Sequence, residues 1–272
     1  MKKTTALLLL IFTVLFSCTV LTSCKGGVYD DLTVLETDCF ETEEYGVAFR
    51  RGSDLAGKLD EMFASDFSDG TAARIASLYG LEGSIPSVFT PGGSTATGTE
   101  DSDYIKGKGV LTVGVTVFDG MDYQDAEGKW IGFDADMANR FAERLGVRAE
   151  FLEIEWDNKL VDLETKNIDC IWNGMTVTPA IEKSCEVTGS YMQNGQVLVV
   201  KRGTLTAVSD LFGKQVAVEG GSAGYYQATA ALADVTIKEV PAQTDALLEV
   251  AAGTSDACVI DYVLAKSLLN FD

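Results

Sequence analysis

From Val110 onward, short β-branched apolar runs alternate with helical stretches, and that rhythm admits few architectures. Val110-Leu-Thr-Val-Gly-Val-Thr-Val reads as a buried strand. Asp134 is a suitable N-cap for a helix in which Met137, Phe141 and Leu145 recur every four residues, and Gly146 marks its stop. Strands are expected over 149–154 and 168–172, with a short helix over 158–166. The pattern resumes with strands over 196–201, 215–218 and 257–260, and with helices over 222–233 and 245–252. Ahead of all this, 32–35 and 46–49 read as strands, and 54–63 and 71–79 as helices, the second ended by Gly80. Alternation at this spacing predicts βαβ units and parallel sheets, hence an α/β fold.

Two segments fall outside the rhythm. Residues 83–103 are small and polar with Pro86 and Pro91, the composition of a linker. At the front, Lys2 and Lys3 precede an apolar run over 6–16 and then Leu21-Thr22-Ser23-Cys24. That run is too short to span a bilayer, so 1–23 is expected to be a signal peptide. The tetrad resembles a bacterial lipobox, which would make Cys24 a lipidated N-terminus.

Composition removes several chemistries. The 272 residues include no histidine, which excludes His-based zinc sites, Ser-His-Asp triads and Cys-His nucleophiles. The six cysteines match no metal signature, so no metal or cofactor is expected. In an oxidising exterior, Cys170 and Cys185 either pair or stay as reduced buried thiols. A net charge of −20 disfavours nucleic acid, whose affinity comes from Lys and Arg neutralising phosphates.

Candidate binding residues follow the ends of the expected strands, where open α/β sheets place their ligands. Glu219-Gly-Gly-Ser-Ala-Gly follows a strand and opens a helix, so Gly221, Ser222 and Ala223 can offer free N–H groups to an anion, or simply form a tight turn. Thr176 and Thr178, after Trp172-Asn-Gly-Met, also follow a strand and offer hydroxyls. Asp261 puts a carboxylate at a strand end, as a helix cap or as the partner of an ammonium. Phe118 and Trp156 are aromatic walls or ordinary core residues.

Taken together, Lys129-Trp-Ile-Gly-Phe-Asp-Ala-Asp, Ile168-Asp-Cys-Ile-Trp-Asn-Gly-Met-Thr-Val-Thr, Val216-Ala-Val-Glu-Gly-Gly-Ser-Ala-Gly and Ser255-Asp-Ala-Cys-Val-Ile-Asp resemble the polar amino-acid class of extracellular solute-binding proteins that feed ABC importers. Tyr45-Gly-Val-Ala-Phe-Arg-Arg-Gly-Ser-Asp, Asp69-Gly-Thr and Ser77-Leu-Tyr-Gly resemble the C-terminal end of that family, yet they come first. The resemblance therefore implies a two-lobed type II periplasmic-binding-protein fold in circularly permuted order. Lobe 1 would be 46–190, carrying the linker, and lobe 2 would be 28–40 plus 196–272, with hinge crossovers at 41–45 and 191–195.

The resemblance also implies roles. Phe118 and Trp156 would flank the ligand side chain, and Tyr45 would lie near the cleft. Gly174, Thr176 and Ser222 with the N–H groups around Gly221 and Ala223 would hold an α-carboxylate. Asp261 would bind the α-amino group. The family's usual carboxylate-gripping arginine is replaced by Ile181, and the acid of its basic-amino-acid binders by Thr116. The ligand is then either a neutral polar amino acid held without arginine, or a solute lacking a standard α-carboxylate. The expected protein is a monomeric, lipid-anchored receptor on the outer side of the cytoplasmic membrane, with an ABC importer permease as partner. A non-transport sensor, a degenerate binding fold and a dehydratase-like enzyme are the alternatives.

Overall fold

The computed structural model describes residues 27–36, 40–94, 96 and 98–269. Residues 1–23, expected to be a signal peptide, Cys24, Cys39 and the final three residues lie outside the described residues. The chain opens with β1 (Leu32–Glu36), β2 (Thr42–Tyr45) and β3 (Ala48–Arg50), then α1 (Leu55–Ser68), α2 (Thr71–Leu78) and α3 (Glu100–Lys108). Next come β4 (Val110–Val115), the short β5 (Tyr123–Gln124) and β6 (Trp130–Ile131), α4 (Phe133–Leu145) and β7 (Arg148–Glu153). They are followed by α5 (Lys159–Glu164), β8 (Cys170–Ile171), α6 (Pro179–Ser184), β9 (Cys185–Val187) and the long β10 (Met192–Lys201). The chain continues through β11 (Gln215–Glu219), α7 (Ala223–Ala231), β12 (Thr236–Val240), α8 (Gln243–Ala252), β13 (Ala257–Asp261) and α9 (Tyr262–Leu268). Among the described residues no helix is long and apolar enough to cross a membrane.

Two main sheets organise these elements. The first runs β7-β4-β8-β3-β9, with β7, β4 and β8 parallel and β3 antiparallel to both β8 and β9. The second runs β1-β10-β13-β11-β12, with β12, β11 and β13 parallel and β1 and β10 antiparallel additions. Between them β2 pairs with the first half of β10, Tyr45 opposite Met192 and Thr42 opposite Gly195. That antiparallel ribbon carries the chain from one sheet to the other in both directions.

The second sheet is covered on both faces, so its strands read as continuous apolar runs. Val197, Val199, Ala217, Cys258 and Ile260 share one core with Leu247 and Val250 of α8. Leu198, Val200, Val216, Val218 and Val259 face the opposite way, toward Ala228 of α7. The period-two alternation of side chains splits each strand between the two cores. In the first sheet Phe49, Val113 and Trp172 pack with Phe63 and Phe141, while Ala48 and Ile171 pack with Leu163 and Ile181 on the other face.

Two local expectations are corrected, and one open alternative is decided. Asp134 is not the N-cap of α4: Gly132 holds that place at φ +125°, where a Cβ would lie 2.1 Å from the Met121 carbonyl oxygen. Residues 83–103 are not a free tether. Phe89 packs edge-on against Phe63 and tilted against Phe67, with ring centroids at 5.3 and 5.4 Å, the Ser84 carbonyl accepts from the Gln193 amide, and α3 begins at Glu100. Cys170 and Cys185 are buried free thiols. Phe49 of β3 faces Cys170 and Arg50 faces Cys185, so β3 lies between them. Two strand spacings, about 9.6 Å, exceed the Cα reach of a disulfide.

Candidate functional site

The C-terminal ends of β7, β8, β11 and β13 open onto one cleft between the two sheets, with a volume of about 760 Å³. From the first sheet's side come Trp156, Gly174 and Thr176; from the second come Gly221, Ser222, Ala223 and Asp261. Ser222 is the N-cap of α7, its hydroxyl accepting from the Tyr225 amide at 3.1 Å. Ile181, in α6, lines the cleft at the position where the family resemblance implies arginine.

Phe118, expected to flank the ligand side chain, and Tyr45, expected near the cleft, are not among the residues that line it. Both are buried behind Gly174: a Cβ there would lie 2.9 Å from the Phe118 ring and 3.1 Å from the Tyr45 ring. With φ at +56°, Gly174 is a position that only glycine fills without strain. Its N–H donates to Asp134 Oδ2 at 2.8 Å, and Tyr191 Oη donates to the same oxygen at 2.7 Å. Asp134 thus positions the strand-end turn, while burial pushes its pKa up to about 7.

The cleft floor is a polar cage absent from the sequence reading. Asp261 Oδ1 accepts from Gln196 Nε2 at 2.7 Å and from Asn194 Nδ2, while Oδ2 accepts from Gln243 Nε2. Glu43 Oε2 accepts from the Thr176 hydroxyl at 3.0 Å and from both Asn194 and Gln196 at 3.1 Å. Gln227 reaches the other Glu43 oxygen. Two carboxylates therefore share two carboxamides. A third, Glu219 at the end of β11, is 2% exposed and has no hydrogen-bond partner on Oε1.

These acids perturb one another. Burial and the nearby Asp261 push Glu219 up to about 8, with Thr116, Lys159 and Gln243 partly countering. Burial and Glu43 push Asp261 up to about 7, while its three carboxamide donors hold it down. Burial raises Glu43 as well. Desolvation disfavours charge on each, and the neighbouring negative charge adds to the shift. Lys159 faces them across the cleft. Its ammonium lies 4.8 Å from the Trp156 ring centroid and donates to the Trp156 and Gly221 carbonyls at 3.1 and 2.9 Å. Burial lowers its pKa, countered by Glu219 and Asp157.

Glu219 stands first in the Glu-Gly-Gly-Ser stretch, which was read only for its amides. Asn194 and Gln196 lie in β10, and Glu43 lies in β2. No spacing rule marks them, since three separate strands bring them together.

Comparison with known proteins places these features. A model of the bacterial extracellular solute-binding proteins, family 3, matches residues 111–255. The L-cystine-binding protein TcyJ of Escherichia coli K12 is 27% identical over 170 residues, covering 61% of this chain and 64% of that protein. The chain thus spans less than two thirds of that relative's length. The arginine-bound form of truncated ArgBP from T. maritima superposes with a TM-score of 0.58 at 35% identity, over 61% of this chain and 79% of that one. The ancestral amino acid-binding protein AncCDT-1, a precursor of cyclohexadienyl dehydratase, gives a TM-score of 0.57 at 32% identity, over 61% and 75%.

Proposed function

This chain belongs to the bacterial extracellular solute-binding proteins, family 3, with their type II periplasmic-binding-protein fold, and on that premise we propose that it is an extracellular receptor that takes up a small amino-acid-like solute for an ABC importer. The observation that carries the proposal is the convergence of Asp261, the start of α7 and the Gly174–Thr176 turn on one cleft between two sheets. Strand-end carboxylates and carboxamides suit a solute bearing an ammonium group.

In this reading residues 46–190 form one lobe, and 28–40 with 196–272 the other. The β2–β10 ribbon, at 41–45 and 191–195, is the hinge on which the lobes close. The bond from Lys159 to the Gly221 carbonyl supports closure, because it already joins the two sides of the cleft. Cys24 is the lipid attachment that holds the receptor at the outer face of the cytoplasmic membrane. Trp156, Gly174, Thr176, Gly221, Ser222, Ala223 and Asp261 are the ligand-facing residues.

A thermal-shift screen against the common amino acids and their amine derivatives tests the receptor reading. A solute at a hundred times its Kd stabilises the protein by about 2.7 kcal/mol, and Asp261→Ala is expected to abolish the shift. A screen with no hit, or full binding by that variant, overturns the assignment. Labelling with a fatty-acid analogue tests the anchor in the same preparation, since retained label in Cys24→Ser rules it out. A dehydratase-like activity is the second reading, favoured by the buried Glu219 acid that holds its proton near neutrality. Mass spectrometry of the recovered solute separates the two, because a receptor returns it unchanged.

A further inference from the structure

The charge balance of the cleft is one-sided. Seven acidic side chains line it and Lys159 is the one basic residue among those described. Glu43, Asp261 and Glu219 are all buried, at 7%, 5% and 2% exposure. Glu219 lines the cleft, and its buried Oε1 has no hydrogen-bond partner. A buried, unpaired carboxylate oxygen calls for a cation or a donor. Among the described residues no group of three or more His, Cys, Asp or Glu side chains is arranged to hold a metal ion.

The places where a ligand carboxylate would be received already hold the protein's own acids. The Thr176 hydroxyl donates to Glu43. At the head of α7, Asp157 packs over Gly221, so that a Cβ there would lie 2.5 Å from Asp157 Oδ1. Ile181, apolar and 8% exposed, adds no positive charge on that side. A solute carboxylate would enter beside like charge at both points, with no arginine to offset it.

Resting on the receptor reading above, we propose that the preferred solute is a small organic dication without a carboxylate, a diamine or an aminoalkylguanidine. Its two charged ends lie among Glu43, Asp261 and Glu219. Three buried carboxyl groups stand against one ammonium, and a dication entering among them favours and offsets their ionised forms, which a zwitterion's own carboxylate would oppose. Asp261 stands between the other two acids electrostatically, its charge raising Glu219 and Glu43's charge raising it in turn. An incoming cation relieves both repulsions, whereas an added carboxylate increases them.

Agmatine is arginine without its carboxylate, so the pair isolates the group at issue. Titration calorimetry of the solute-free protein with agmatine, putrescine, L-arginine and L-glutamine is the test. Agmatine or putrescine is expected to bind at least tenfold more tightly than L-arginine. Glu219→Gln should weaken that binding at least tenfold with an unchanged circular dichroism spectrum. Ile181→Arg serves as a second variant should the first fail to fold, and it should shift preference toward L-glutamine. Binding of L-arginine or L-glutamine as tight as that of agmatine overturns this inference and leaves the receptor reading standing. Unaltered preference in both variants also overturns it. If none of the four probes and none of the common amino acids binds, both readings fail together.

Discussion

Asp134, Asp261 and Glu219 are carboxylates kept away from water, and burial raises all three, to about 7, about 7 and about 8. In the unfolded chain each would lose its proton near pH 4. Between about pH 4 and pH 8 the folded protein therefore binds more protons than the unfolded one, and stability falls as pH rises through that window. Exposed acids such as Asp69 and Asp210 are pulled down by backbone donors, and their contribution lies below about pH 4. The solute-free protein is thus expected to be more stable at pH 5.5 than at pH 8, by an amount on the order of a few kcal/mol. Urea midpoints at the two values check the sign. An equal or higher midpoint at pH 8 would show that these carboxylates are ionised without cost.

At the scale of elements, the stretch between α2 and α3 is the part most altered by packing. Asp60 of α1 accepts from the Gly92 amide at 2.7 Å and from the Gly189 amide at 2.9 Å. One carboxylate therefore pins the stretch against the strand end leading into β10. The approach is close enough that a Cβ at Gly189 would lie 1.9 Å from the Thr90 carbonyl oxygen. Asp60→Ala leaves two amide donors without their acceptor, a loss of about 1–3 kcal/mol each if they stay buried. Hydrogen exchange over residues 86–94 should quicken by tenfold or more in that variant, while protection of β10 and β13 holds. Unchanged exchange would mean that the Phe89 contacts alone fix the segment.

On the scale of the whole molecule, the front of the chain completes both sheets. β1 lies beside β10 in one, β3 sits between β8 and β9 in the other, and β2 builds the ribbon between them. The matching family model begins at residue 111, after all three. We propose that this is a circular permutation, with the front segment supplying what the family carries at its end. Long-range pairing of β1 with β10 then delays the second sheet, because loop closure across most of the chain precedes any gain in contacts. The permuted chain closes on itself, so light scattering is expected to give a monomer. An obligate dimer exchanging 27–50 between copies would instead mark a chain cut from tandem repeats.

The sequence alone determined the α/β class and most of the elements, because strand and helix leave local signatures: apolar runs around Leu111 and Val259, four-residue spacing from Met137 to Leu145, glycine at the end of α4. The strand ends were legible for the same reason, and with them Trp156, Gly174, Thr176 and Asp261 at the cleft. Tertiary structure alone decided what those residues meet. Phe118 and Tyr45 were drawn behind Gly174, and Asp134 was taken from a capping role to hold a turn forty residues away. The cage of Glu43, Asn194, Gln196, Gln243 and Asp261 joins β2, β10, α8 and β13. Such a cage has no sequence period. Its members are polar groups whose burial becomes tolerable only when each finds the others' donors and acceptors in space.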